Sequence, residues 1–146
     1  MRRFVGLLGL AVLAGCAGLE PTESDDDALV YPLDESVPSE RCLNLASVDD
    51  TEIIDDRNIL FYMKGNEIYR NVLPRRCFGL QRNDAFSYRT SGRQLCNVDL
   101  ITVLQQLGGG LDQGVTCRLG LFYLVNEAEV EAIKLEMERV RELGLD

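Results

Sequence analysis

The chain has 146 residues, with 24 acidic against 15 basic and no histidine, for a formal charge of −9. One domain is the expectation at that length, and a negative field of this size repels nucleic acid as a whole. Without histidine, the usual general base for a serine or cysteine nucleophile and a common zinc ligand are both missing.

Met1-Arg2-Arg3 is a short cationic start, and residues 4–14 are an apolar run broken by Gly6 and Gly9. A helix of about 11 residues reaches ~16 Å, short of the ~30 Å bilayer core, so the run is expected to be a secretory signal and not a membrane span. Leu13-Ala14-Gly15-Cys16 closes it in the manner of a bacterial lipobox. In such a box residues 1–15 are removed, and Cys16 becomes the first residue, carrying fatty acid such as palmitate. With Arg2 and Arg3 gone, 13 basic residues stand against 24 acidic ones, a charge of −11.

Residues 16–40 then form an acidic tether. It carries Glu20, Glu23, Asp25-Asp26-Asp27, Asp34, Glu35 and Glu40, three prolines and no basic residue. Too few apolar residues are present to build a core, so a loose spacer reaching roughly 25–30 Å is expected. The aspartate run lacks the ligand spacing and the glycine of an EF-hand loop.

Beyond the tether, Cys42, Cys77, Cys96 and Cys117 make an even set in an oxidising compartment, which predicts two disulfides. Three connectivities are open, and Cys77–Cys96 with Cys42–Cys117 is the one expected here. With no CxxC and no histidine, no metal site or cofactor is expected.

The folded part is expected to start near Arg41, with a short alternating strand over 41–45. The strongest strand signal is 57–64, followed by Gly65-Asn66 and an alternating run over 67–73. A two-residue Gly-Asn link predicts a hairpin that sets Lys64 opposite Glu67, Met63 opposite Ile68, Tyr62 opposite Tyr69 and Ile59 opposite Val72. Ile59, Phe61, Met63, Ile68 and Val72 would then share the apolar face. Pro74 ends the strand, and residues 75–80 read as a loop. A second hairpin is expected from 85–90 and 93–98 around Ser91-Gly92. Residues 100–104 form a short β-branched run, 105–114 a flexible loop, and 115–125 a last strand with Gly120 as a bulge. The triple glycine at 108–110 lacks the order and the lysine of a phosphate-binding loop.

After residue 125 the period changes. Asn126 with Glu129 predicts an N-cap and capping box, and Val130, Ile133, Met137 and Val140 make one apolar stripe on a helix over 126–143. Lys134–Glu138 is the expected ion pair on its wet side, and Gly144 its stop. The stripe is expected to pack on the domain's own sheet, the alternative being a partner helix. The fold class expected is α+β, mainly β: a small antiparallel sheet of two hairpins plus further strands, open or partly closed into a barrel, with one C-terminal helix. The β domain spans 41–125.

Two sets of residues invite chemistry. Asp55, Asp56, Asp84 and Asp99 lie near strand ends, where a carboxylate pair could serve a hydrolase of envelope polymers. Each also suits a turn, where aspartate bonds its own backbone. The second set is Arg70, Arg75, Arg76, Arg82, Arg89 and Arg93, opposed within that segment by Asp84 alone and interleaved with Phe78, Phe86 and Tyr88. Guanidinium forks bind phosphate and carboxylate bidentately, which points to lipid headgroups, lipopolysaccharide, peptidoglycan or an acidic envelope protein. The alternative is that these arginines pair with the chain's own acids.

Ile53-Ile54-Asp55-Asp56, Ile68-Tyr69-Arg70-Asn71, Leu73-Pro74-Arg75-Arg76-Cys77, Phe86-Ser87-Tyr88-Arg89-Thr90, Leu95-Cys96-Asn97-Val98-Asp99 and Cys117-Arg118-Leu119-Gly120 also stand in a familiar order. Over residues 41–130 they resemble a family of small proteobacterial lipoproteins classed as a domain of unknown function. The resemblance implies a Gram-negative envelope protein and carries no assigned activity. The chain departs from the family at Phe78, where proline is usual, and in a longer C-terminal helix. In lipoproteins of such bacteria an aspartate after the acylated cysteine is associated with inner-membrane retention. Ala17 stands there instead, which implies the periplasmic leaflet of the outer membrane. The expected role is a non-catalytic binding or structural module, anchored in the membrane by lipid.

Overall fold

The computed structural model describes residues 36–90 and 92–144. The expected signal, Cys16 and nearly all of the expected acidic tether lie outside the described residues. Among the described residues no helix is long and apolar enough to cross a membrane.

The chain is mainly β, with antiparallel sheets, one C-terminal helix and two disulfides. In chain order the elements are β1 (Ser39–Glu40), β2 (Cys42–Asn44), a 3-10 turn (Leu45–Ser47), β3 (Val48–Ile53), β4 (Asn58–Met63), β5 (Ile68–Val72) and the short α1 (Leu80–Asn83). There follow β6 (Phe86–Arg89), β7 (Gln94–Cys96), β8 (Leu100–Leu107), β9 (Gly110–Arg118), β10 (Phe122–Val125) and α2 (Glu127–Glu142). They build a five-stranded sheet β1-β10-β5-β4-β3, a two-stranded sheet β2-β7 and a three-stranded sheet β6-β8-β9. These sheets do not close into a barrel.

β4, in the five-stranded sheet, is buried on both faces, which explains why it reads as a nearly continuous apolar run. Ile59 and Phe61, with Phe122 of β10, face a core shared with Leu43, Leu95, Ile101, Val103 and Leu119, contributed by the two smaller sheets and their connections. Leu60 faces the other way, into a second core with Ile54, Ile68, Val130 and Ile133 under α2. The order of layers is therefore α2, the central sheet, then the two smaller sheets.

The helix forms as its sequence directs. Asn126 Oδ1 accepts from the Glu129 N–H at 3.0 Å, and Glu129 Oε2 accepts from the Asn126 N–H at 2.7 Å. Val130 and Ile133 are buried on the sheet, with Met137 against the same core. Lys134 does not pair with Glu138. It reaches across to Glu52 on β3, 2.9 Å away, because its side of the helix overhangs the sheet.

The β4–β5 hairpin exists, but its register is one residue off the expected one. Asn66 N–H donates to Met63 C=O at 3.2 Å and Met63 N–H to Glu67 C=O at 2.9 Å, so the link has three residues, Lys64-Gly65-Asn66. Phe61 consequently pairs with Tyr69 and Tyr62 with Ile68. A slip of one turns every β5 side chain over: Ile68 joins the core under α2 and Tyr69 packs on the other. The expected Lys64–Glu67 pair gives way to a bond from Lys64 Nζ to Ala46 C=O at 2.9 Å.

The second expected hairpin does not form, since β6 pairs with β8 and β7 with β2. Residues 105–114 are no loop. β8 and β9 run together to a two-residue turn at Gly108-Gly109, both left-handed at φ 61° and 93°. The expected strand over 115–125 is two strands of different sheets. Gly120 lies in the crossing between them, where a Cβ would stand 1.8 Å from the Val72 carbonyl oxygen.

The disulfides are Cys42–Cys96 and Cys77–Cys117, which overturns the expected pairing. Register dictates the first, since Cys42 and Cys96 are direct cross-strand partners in β2-β7. The second ties the loop after β5 to β9, fastening the three-stranded sheet to the central one.

Candidate functional site

The arginines between residues 70 and 93 do not form one set. Arg70 is interior, with 1% of its surface exposed, and its Nε donates to Asn58 Oδ1 at 2.8 Å. Asn58 in turn donates from Nδ2 to Asp55 Oδ2 at 2.7 Å. Asp55 Oδ1 also accepts the backbone N–H groups of Arg57 and Asn58 at 2.5 and 2.8 Å. Burial pushes the Asp55 carboxyl above its ordinary pKa, although these bonds and the Arg70 charge pull the other way. A buried, fully bonded chain of this kind rigidifies the sheet end from which the arginine loops leave.

Arg76 is half-buried and donates from Nε to Asp56 Oδ2 at 3.2 Å, with its guanidinium 5.6 Å from the centre of the Phe78 ring. Asp56 Oδ1 also accepts the Gln81 N–H at 3.0 Å. Phe78 is 64% exposed on a loop held by the Cys77–Cys117 disulfide. The remaining four, Arg75, Arg82, Arg89 and Arg93, are exposed, and none has an acidic partner among the described residues.

α2, on one side of the central sheet, carries Glu127, Glu129, Glu131, Glu136, Glu138 and Glu142 against Lys134, Arg139 and Arg141. On the other side β6 ends at Arg89, and α1, which carries Arg82, packs beside β8.

The carboxylates are engaged within the fold. Asp55 and Asp56 accept backbone N–H groups as described, Asp84 is the left-handed C-cap of α1, and Asp99 Oδ2 accepts the Cys96 N–H at 2.7 Å. Tyr62, on β4, donates to Glu52 at 2.7 Å, beside the Lys134 ammonium. Burial raises Glu52, but these two donors outweigh it and hold the carboxyl below its ordinary pKa.

Sequence reasoning missed Arg118. It stands directly opposite Leu100, which stands opposite Arg89. Only the strand pairing brings these residues together. Comparison with family models, with curated proteins and with solved structures returns no match.

Proposed function

We propose that the chain is a lipoprotein anchored through Cys16 in the outer membrane and facing the periplasm, a non-catalytic binding or structural module that holds anionic envelope material with its exposed arginines. The lipobox pattern Leu13-Ala14-Gly15-Cys16 supports the location. The observation that carries the binding role is that Arg75, Arg82, Arg89 and Arg93 stay in solvent without an acidic partner among the described residues, in a chain with 24 acids. Exposed ion pairs stabilise by only about 0–1 kcal/mol, so unpaired arginines do little for the fold and are available to a partner. Charge reversal of Arg75 and Arg82 to glutamate tests the reading. Capture of anionic lipid, lipopolysaccharide or peptidoglycan from envelope extracts should fall while the melting temperature holds, and unchanged capture would remove the proposal.

A further inference from the structure

The three-stranded sheet buries one face and exposes the other. Ile101 and Val103 of β8 point into the core, with Cys117 of β9 beside them on the same face. The residues between point outward in two rows fixed by register. One row is Arg89, Leu100, Arg118; the next is Ser87, Thr102, Thr116. Leu100 is 51% exposed, both arginines are exposed, and neither has an acidic partner among the described residues.

The outward position of Arg118 depends on a bulge. Thr102 pairs with Thr116 but Leu104 with Gln113, so Gly114 and Val115 together oppose Val103. Without that extra residue Cys117 would face outward and Arg118 would face the core.

The two arginine backbones lie two strand spacings apart, about 10 Å, with Leu100 between them. Guanidinium forks reach several ångströms, so two arginines at that backbone spacing can both reach one dianionic group. Beneath them Thr102 and Thr116 hydroxyls share one hydrogen bond at 3.1 Å. Only one proton is used in that bond, which leaves the other hydroxyl proton to donate outward. Two forks and a hydroxyl row offer more donors than a single carboxylate accepts, and they match the three oxygens of a phosphate monoester. Leu100 presents an apolar contact for the C–H face of a sugar ring.

We infer that this open face, Arg89–Leu100–Arg118 over Ser87, Thr102 and Thr116, is a binding site for a phosphorylated glycan. The inference rests on the anion-binding reading above and narrows it to one face and one ligand class. The test is calorimetric titration of the full-length chain with a bis-phosphorylated glucosamine disaccharide. The unphosphorylated disaccharide and a muramic-acid disaccharide, which carries a carboxylate, serve as comparisons. Only the phosphorylated probe should bind, and Arg89→Ala and Arg118→Ala should each weaken it about tenfold. Arg89→Lys with Arg118→Lys, which keeps the charge but removes the forks, should lose most of the affinity without change in melting temperature. Equal binding of the muramic-acid probe would overturn the phosphate assignment. Full binding by the Arg89/Arg118 variants, with loss on reversal of Arg75 and Arg82, would overturn this site and leave the anion-binding reading standing. No binding of any anion by the native chain would overturn both.

Discussion

Asn71 and Gly120, 49 residues apart, hold each other by two hydrogen bonds. Asn71 Nδ2 donates to the Gly120 C=O at 2.7 Å, and the Gly120 N–H donates to Asn71 Oδ1 at 3.0 Å. This side chain thus completes the backbone where the chain leaves the three-stranded sheet for the central one. Asn71→Ala strands a buried donor and acceptor and should cost about 2–3 kcal/mol. Gly120→Ala forces a methyl onto the Val72 carbonyl and should cost at least about 2 kcal/mol. Urea unfolding measures both, and a loss under 0.5 kcal/mol in either would contradict the clamp.

The crossed disulfides predict a peptide map. Digestion without reduction should yield one fragment joining Cys42 to Cys96 and another joining Cys77 to Cys117. Replacing Cys77 and Cys117 together by alanine should lower stability by about 2–4 kcal/mol, because that bridge closes a long loop in the unfolded chain. A fragment joining Cys77 to Cys96 would refute the β2-β7 register as well.

Two carboxylates should titrate in opposite directions from their ordinary values. Burial raises Asp55, so the folded chain keeps that proton to higher pH than the unfolded one. Ionising Asp55 therefore costs stability above the ordinary aspartate range, and the loss is recovered as pH falls through the raised folded value. Glu52 behaves in reverse. Burial lifts it, but Tyr62 and Lys134 lower it further, so its contribution is present above the ordinary glutamate range and lost as pH falls through its lowered value. The Glu52–Lys134 pair is more than a third exposed on each side, so Glu52→Gln should cost under about 1 kcal/mol at neutral pH. Carboxyl-carbon NMR should place Asp55 above and Glu52 below their usual midpoints; two ordinary midpoints would contradict both environments.

Anchoring should depend on one thiol. Cys16→Ser should abolish incorporation of labelled palmitate and release the chain from the membrane fraction. Labelled palmitate retained on the Cys16→Ser chain would exclude acylation at that position.

The helix was legible because all its signals are local: Asn126, Glu129 and the Val130–Ile133 spacing lie within two turns. The existence of the β4–β5 hairpin was equally local, but its register was not. Asn66 adopts a left-handed conformation that lengthens the link, and β4 is apolar on both faces, so alternation offers no correction. The pairings of β6 with β8 and β2 with β7, and hence the disulfides, depend on contacts far apart in the chain. The Arg89–Arg118 face was least accessible of all, because it requires both the Gly108-Gly109 turn and the bulge at Gly114 and Val115. Arg70 was misplaced for a related reason: nothing near it in the sequence shows that Asn58 and Asp55 receive it in the interior.

The exposed arginines carry the functional account, and one comparison tests them together. Retention of the full-length chain on a phosphate-bearing matrix should fall steeply with added salt and vanish when Arg75, Arg82, Arg89 and Arg93 are all changed to glutamate, with the melting temperature unchanged. Undiminished retention by that folded variant would contradict the account.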